Sequence, residues 1–280
     1  MKLRCRDRVI SLDRTAVMGV LNVTPDSFSD GGLWFDPQRA VAHAVEMVDA
    51  GADIVDVGGE STRPGADPVS EDEEMQRVLP VIETLVGSTD APISIDTRKP
   101  SVARAALDSG AVIVNDTGGE EGDPAMAAVA AETGAAMIVM HSRGTPATMR
   151  SLTDYSDVVR DVGTFLGRRA GELQSAGVPR DSIVLDPGYG FAKTSQQSLV
   201  MLNRLEEHVA LGYPVVVGTS RKSFIGAVLD LSEDHRVEGT AATVAWAVMK
   251  GAHIVRVHDV VQMVRVVRMT EAIRDAGEQS

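Results

Sequence analysis

Short runs of Val, Ile and Ala recur along the chain, separated by longer stretches whose apolar positions return every three or four residues. The runs cover residues 16–21, 53–57, 93–96, 112–115, 136–140, 182–186, 214–218 and 253–257. Each has the length of a strand, and several are apolar throughout, as in a parallel sheet covered by helices. The stretches between them predict those helices. Residues 37–49 align Val41, Ala44, Val45 and Val48 on one stripe, residues 100–109 begin with a proline suited to a first turn, and residues 157–176 form a longer case. Gly51, Gly110, Gly134, Gly177, Gly212 and Gly251 each fall shortly before a run, where a helix-ending glycine belongs. Eight strand–helix alternations predict an α/β protein, a single (β/α)8 barrel of the TIM type, better than two doubly wound sheets. Residues 2–12 predict a short N-terminal β-hairpin placed to plug the barrel floor. No linker, low-complexity tract or further repeat interrupts the pattern, so one domain over 1–280 is expected, with 277–280 as a frayed tail.

Composition excludes several classes. A single cysteine, Cys5, rules out an intramolecular disulfide, and there is neither a signal-like opening segment nor an apolar run of about 18 residues. A cytoplasmic protein that does not span a membrane is the expectation. Forty acidic against 27 basic residues give a net charge of −13, which argues against nucleic acid or an anionic lipid surface as partner. Lysine is scarce, limited to Lys2, Lys99, Lys193, Lys222 and Lys250, so each one inside a motif is of interest.

A barrel places its chemistry at the carboxyl ends of its strands. There the sequence is conspicuously polar: Asn22 to Gly32, Gly58 to Gly65, Asp96-Thr97-Arg98, Asn115-Asp116, His141 to Gly144, Asp186 to Lys193, Thr219 to Ser223, and Arg256 to Asp259. Helix capping explains polar residues just beyond a strand, but not Asp96, Asn115 and Asp186 at or inside the strand ends. These would face a partly desolvated barrel mouth, suited to a flat heterocycle with an amide and amino edge, where Asn can donate to a ring carbonyl or nitrogen. A second group, Arg63, Arg221, Lys222, Arg256 and His258, has the opposite charge, and Ser220 to Ser223 open a helix. Together they predict an anionic, phosphate-bearing ligand beside the acidic pocket.

These motifs, taken in order, resemble the dihydropteroate synthase family of pterin-binding enzymes over nearly the whole chain. The match rests on Asn22-Val23-Thr24-Pro25-Asp26-Ser27-Phe28-Ser29-Asp30-Gly31-Gly32, on Asp56 to Gly65, and on Ser94 to Thr97, Asn115-Asp116, Met140-His141, Leu185 to Gly188, Ser220 to Lys222 and Arg256 to Asp259. The resemblance implies a transferase joining para-aminobenzoate to 6-hydroxymethyl-7,8-dihydropterin diphosphate, with release of diphosphate. It implies a pterin pocket at Asp96, Asn115, Met140, Asp186 and Lys222, and an aminobenzoate site at Phe28, Thr62, Arg63, Pro64, Phe191, Lys222 and Ser223. It further implies a diphosphate site at Asn22, Arg63, Arg256 and His258, with Mg2+ at Asn22, and Asp30 close to the reacting centre. Catalytic roles fall to Asp30, Asp96, Asp186, Lys222, Arg256 and His258. Sulfonamides would compete with aminobenzoate, and a homodimer is implied.

Two stretches depart from the family pattern: Thr117-Gly118-Gly119-Glu120, where a Ser-containing variant is common, and Ser142, where a larger residue is usual. Altered packing near the pterin pocket is expected from both. Two alternatives are weaker. A methyltetrahydrofolate-dependent methyltransferase domain would not need the anion cluster, and a catalytically silent paralogue should have lost Arg63, Asp96, Lys222 or Arg256.

Overall fold

The computed structural model describes residues 1–24, 36–61, 66 and 68–276. Strands β1 (Lys2–Cys5) and β2 (Arg8–Ser11) form an antiparallel hairpin. Eight parallel strands follow: β3 (Ala16–Asn22), β4 (Ile54–Gly58), β5 (Ile93–Asp96), β6 (Ile113–Asp116), β7 (Ala136–Met140), β8 (Ile183–Asp186), β9 (Val216–Val217) and β10 (Ile254–Val257). Their order is β8-β7-β6-β5-β4-β3-β10-β9. The Leu185 amide donates to the Pro214 carbonyl at 2.9 Å, and Leu185 bridges Val215, so the two ends of the sheet meet as a barrel. Only two residues of the 214–218 run join the ladder as β9, and Pro214 has no N–H to give it.

The surrounding helices are α1 (Pro37–Asp49), α2 (Glu71–Ser88), α3 (Pro100–Asp108), α4 (Ala125–Thr133) and α5 (Val158–Ser175). The ring continues through α6 (Ser195–Asn203), α7 (Leu205–Val209), α8 (Ser223–Leu229), α9 (Val237–Met249) and α10 (Val260–Asp275). Their starts are written locally. Asp36 caps α1 ahead of Pro37, Ser70 caps α2 ahead of four acidic residues, and Thr194 with Gln197 makes a capping box on α6. All six predicted helix-ending glycines have positive φ. The buried stripe of α1 is Ala40, Ala44 and Met47, rotated from the predicted one, with Val41 and Val48 at its margin. The reason lies in β3: a Cβ on Gly19 would stand 2.8 Å from Met47 Sδ, so the missing side chain admits Met47 against the strand.

Alternation along the apolar strands separates two cores. Val17, Leu21, Val55, Val57, Ile95, Val139 and Leu185 face outward and pack with the buried helix faces. Met18, Ile54, Ile113, Ile138, Val184, Val216 and Ile254 face inward, joined by Leu3, Cys5 and Leu12 of the hairpin segment. The hairpin therefore plugs the floor as predicted. Up most of the strands the next inward positions are polar, and together with Met140 they form the site. No described helix is long and apolar enough to cross a membrane. Residues 277–280 lie outside the described residues.

Candidate active site at the barrel mouth

Two residues beyond the inward apolar layer stand Asn22 after Val20, Asp56 after Ile54, Asp96 after Ser94, Asn115 after Ile113, Met140 after Ile138 and Asp186 after Val184. Parallel register sets Asp96 beside Asn115 and Met140 beside Asp186. Asp96, Asn115, Met140 and Asp186 are all buried, as the strand-end argument demanded.

Arg256 pairs in register with Met18, one layer lower, and its long side chain reaches up from there. Its Nε donates to Asp56 Oδ2 at 2.6 Å and its Nη2 to Asp96 Oδ2 at 2.6 Å. The structure thus holds Arg256 on the acidic floor, at the pterin end of the predicted site. Asn115 Nδ2 donates to the same Asp56 oxygen at 3.0 Å. A carboxylate only accepts, so this bond fixes the amide orientation and leaves Asn115 Oδ1 as a buried acceptor without a partner.

Burial pushes the Asp96 carboxyl up to about 7; Arg256 pulls it back and Asp56 reinforces the rise. Thr117, one of the departures, does more than pack, because its hydroxyl donates to Asp96 Oδ1 at 3.3 Å. Asp186 is raised too, by burial, against the Gly188 N–H that donates to it at 2.7 Å and the positive charges of Lys222 and Arg256. Across the mouth, Lys222 Nζ sits 3.9 Å from the centre of the Phe191 ring, and Ser223 is exposed at the start of α8.

His258 belongs to this wall, though not as a cation. Burial, then Arg256, Arg221 and Lys222, push its imidazole down to about 3. Ser220 Oγ accepts the His258 backbone N–H at 3.1 Å and lies within hydrogen-bond reach of its Nδ1 at 3.0 Å. The ring is therefore neutral, with one nitrogen a donor and the other an acceptor. Arg221 leaves the predicted cluster: its Nε and Nη2 grip Asp259 at 3.0 and 2.6 Å. Phe28, Asp30, Thr62, Arg63 and Pro64 lie outside the described residues.

Sequence reasoning missed two residues. Asp56 is fully buried and organises Asn115 and Arg256; its signal was a carboxylate at an inward position of an otherwise apolar strand. Lys193 is buried behind Phe191, and the scarcity of lysine was the only hint.

The fold and the site define a barrel enzyme for a flat, N–H-bearing heterocycle that carries an anionic arm. Comparison with known proteins agrees. The family model described as "Pterin binding enzyme" matches residues 18–258. Dihydropteroate synthase of Bacillus subtilis is 50% identical over 265 residues, 95% of this chain and 90% of that protein. The structure of Xanthomonas albilineans dihydropteroate synthase with 4-aminobenzoic acid matches with a TM-score of 0.91 and 40% identity, covering 98% of each chain. The Yersinia pestis dihydropteroate synthase with a sulfonamide drug matches at 0.92 and 40% identity, over 98% of this chain and 100% of that one. The chain belongs to the pterin binding enzyme family. It is an enzyme, a transferase of the dihydropteroate synthase group.

Proposed function

We infer that the barrel mouth joins para-aminobenzoate to 6-hydroxymethyl-7,8-dihydropterin diphosphate, giving 7,8-dihydropteroate and diphosphate. The observation that carries this reading is the acidic floor of Asp56, Asp96 and Asp186 facing a donor wall of Lys222 and His258. The orphaned Asn115 Oδ1, with Asp96 and Asp186, accepts from the N–H edge of the pterin, and Met140 packs on the ring. The bond from the exocyclic methylene to the diphosphate oxygen breaks first, and the ring takes up the positive charge. The Asp96 and Asp186 carboxylates stabilise that cation, while the neutral His258 imidazole and Lys222 receive the departing anion. The aminobenzoate nitrogen, stacked near Phe191 and Ser223, then forms the new C–N bond and gives its proton to the departed diphosphate. The methyltransferase alternative accounts for none of the anion-binding residues.

Mg2+ fits as a companion of the diphosphate. Among the described residues no cluster of three His, Cys, Asp or Glu is built to hold a metal. The inward carboxamide of Asn22 is the kind of single oxygen donor taken by an ion that keeps its water and finds other ligands on phosphate. When bound, the ion neutralises charge on the leaving group. The reading also includes a chain folded as one domain, a cytoplasmic location, consistent with the buried free thiol of Cys5, and competition by sulfonamides for the aminobenzoate site. A homodimer completes it, supported by exposed apolar residues on α9 and α10.

Diphosphate release from the purified protein tests the reaction. Release should require both substrates and Mg2+, be inhibited by a sulfonamide with relief by added aminobenzoate, and fall roughly 100-fold or more in Asp96→Asn and Lys222→Ala. Pterin binding without release would assign the silent paralogue instead.

A further inference from the structure

Lys193 is the most heavily bonded buried cation outside the substrate-facing residues. Its Nζ lies 3.3, 2.9 and 2.8 Å from the carbonyl oxygens of His141, Gly188 and Phe191, and 3.0 Å from His141 Nδ1. One ammonium thus ties the end of β7 to both ends of the turn that follows β8. Burial pushes the Lys193 amine down to about 7 and the His141 imidazole down to about 2, so His141 is neutral and offers Nδ1 as an acceptor.

The turn it grips is costly to hold. Gly188 has φ +70°, and a Cβ there would stand 2.0 Å from the His141 carbonyl oxygen. Ala192, with a side chain, has φ +49° and is buried. Such a residue persists only where its surroundings over-determine it. Tyr155 Oη supplies one restraint, donating to the Ala192 carbonyl at 3.0 Å. At Phe191 itself the backbone N–H donates to the Gly188 carbonyl at 3.1 Å, and Lys193 restrains the Phe191 carbonyl and that same Gly188 oxygen together.

We propose that Lys193 is a positioning residue for para-aminobenzoate, clamping the turn after β8 so that Phe191 is held against Lys222. The proposal rests on the reading of Phe191 as part of the aminobenzoate site. Lys193 touches neither substrate; it acts through the placement of the Phe191 ring.

Steady-state diphosphate release on wild type, Lys193→Met, Phe191→Leu and the double variant tests this. Lys193→Met should raise the KM for para-aminobenzoate at least tenfold, with kcat and the KM for dihydropterin diphosphate within about twofold of wild type. In the Phe191→Leu background the same change should add no further shift, because the group it positions is gone. Lys193→Gln, which retains two N–H donors for the loop carbonyls, should recover part of the loss. An unchanged aminobenzoate KM, a shift of equal size in both backgrounds, or failure of both Lys193 variants to fold by circular dichroism overturns the proposal. Wild-type protein without aminobenzoate-dependent release would sink the underlying reaction instead, and an unaltered KM in Phe191→Leu alone would sink the assigned role of Phe191.

Discussion

At the scale of single residues, Asp96 controls the response to pH. The ionised carboxylate accepts from the pterin N–H edge, and the protonated acid loses that capacity on one oxygen. With the carboxyl pushed up to about 7, binding of the dihydropterin should weaken as pH falls below that value, by about tenfold per unit, and level off above it. Folding responds with the opposite sign. Between the ordinary value of 3.8 and about 7, the folded chain holds a proton that the unfolded chain has released, so the ligand-free protein loses stability as pH rises through that window. Thr117→Val removes a donor to the ionised form and should move the binding midpoint to higher pH. Isothermal titration of a pterin ligand from pH 5 to 9 checks both; a midpoint that stays put or falls in the variant refutes the role of Thr117. Asp96, Asn115 and Asp186 were legible because polar residues at inward strand ends have no cheap structural explanation. The neutral state of His258 was not, because burial in the folded wall sets it, nor was the diversion of Arg221 to Asp259, a neighbour 38 residues away.

At the scale of elements, the eight barrel strands and the three helices given bounds were legible to within a residue or two, because apolar runs alternated with helical periods and glycines closed the helices. What escaped was set by contact between elements. The stripe of α1 turns on the absent side chain of Gly19, and the length of β9 turns on closure against β8. Glycines give this distinction a measurable form. Gly188 occupies a left-handed turn against the His141 carbonyl, so Gly188→Ala should cost about 3 kcal/mol or more, since the chain must shift to admit the new atom. Gly87 lies near the end of α2, where an added methyl group would meet nothing within 4 Å, so Gly87→Ala should gain about 0.5–1 kcal/mol from helix propensity. Urea unfolding midpoints compare them directly. Equal effects would show that the turn after β8 yields, which would also weaken the case for Lys193 as its clamp.

At the scale of the whole molecule, two features stand apart: a strongly acidic surface, and an apolar patch on one side of the barrel. A net charge of −13 favours solubility. The patch works against solubility. Trp246 and Met249 on α9 are 47% and 51% exposed, and Met269 and Ile273 on the adjoining α10 are 62% and 60% exposed. The Trp246 Nε1 donates to the Leu202 carbonyl at 3.2 Å, and about half of the residue remains in contact with solvent. Apolar residues gathered on neighbouring helices mark an association surface more often than chance exposure does. They lie on the helical shell, away from the strand ends that carry the site, so two subunits can meet there with both mouths open. Light scattering at micromolar concentration should therefore give twice the chain mass. Met269→Glu combined with Ile273→Glu would place carboxylates in a desolvated interface and should yield a monomer that still binds the dihydropterin. A wild-type monomer at that concentration, or a double variant that remains dimeric, would remove this face from the assembly and leave its exposed side chains as ordinary surface.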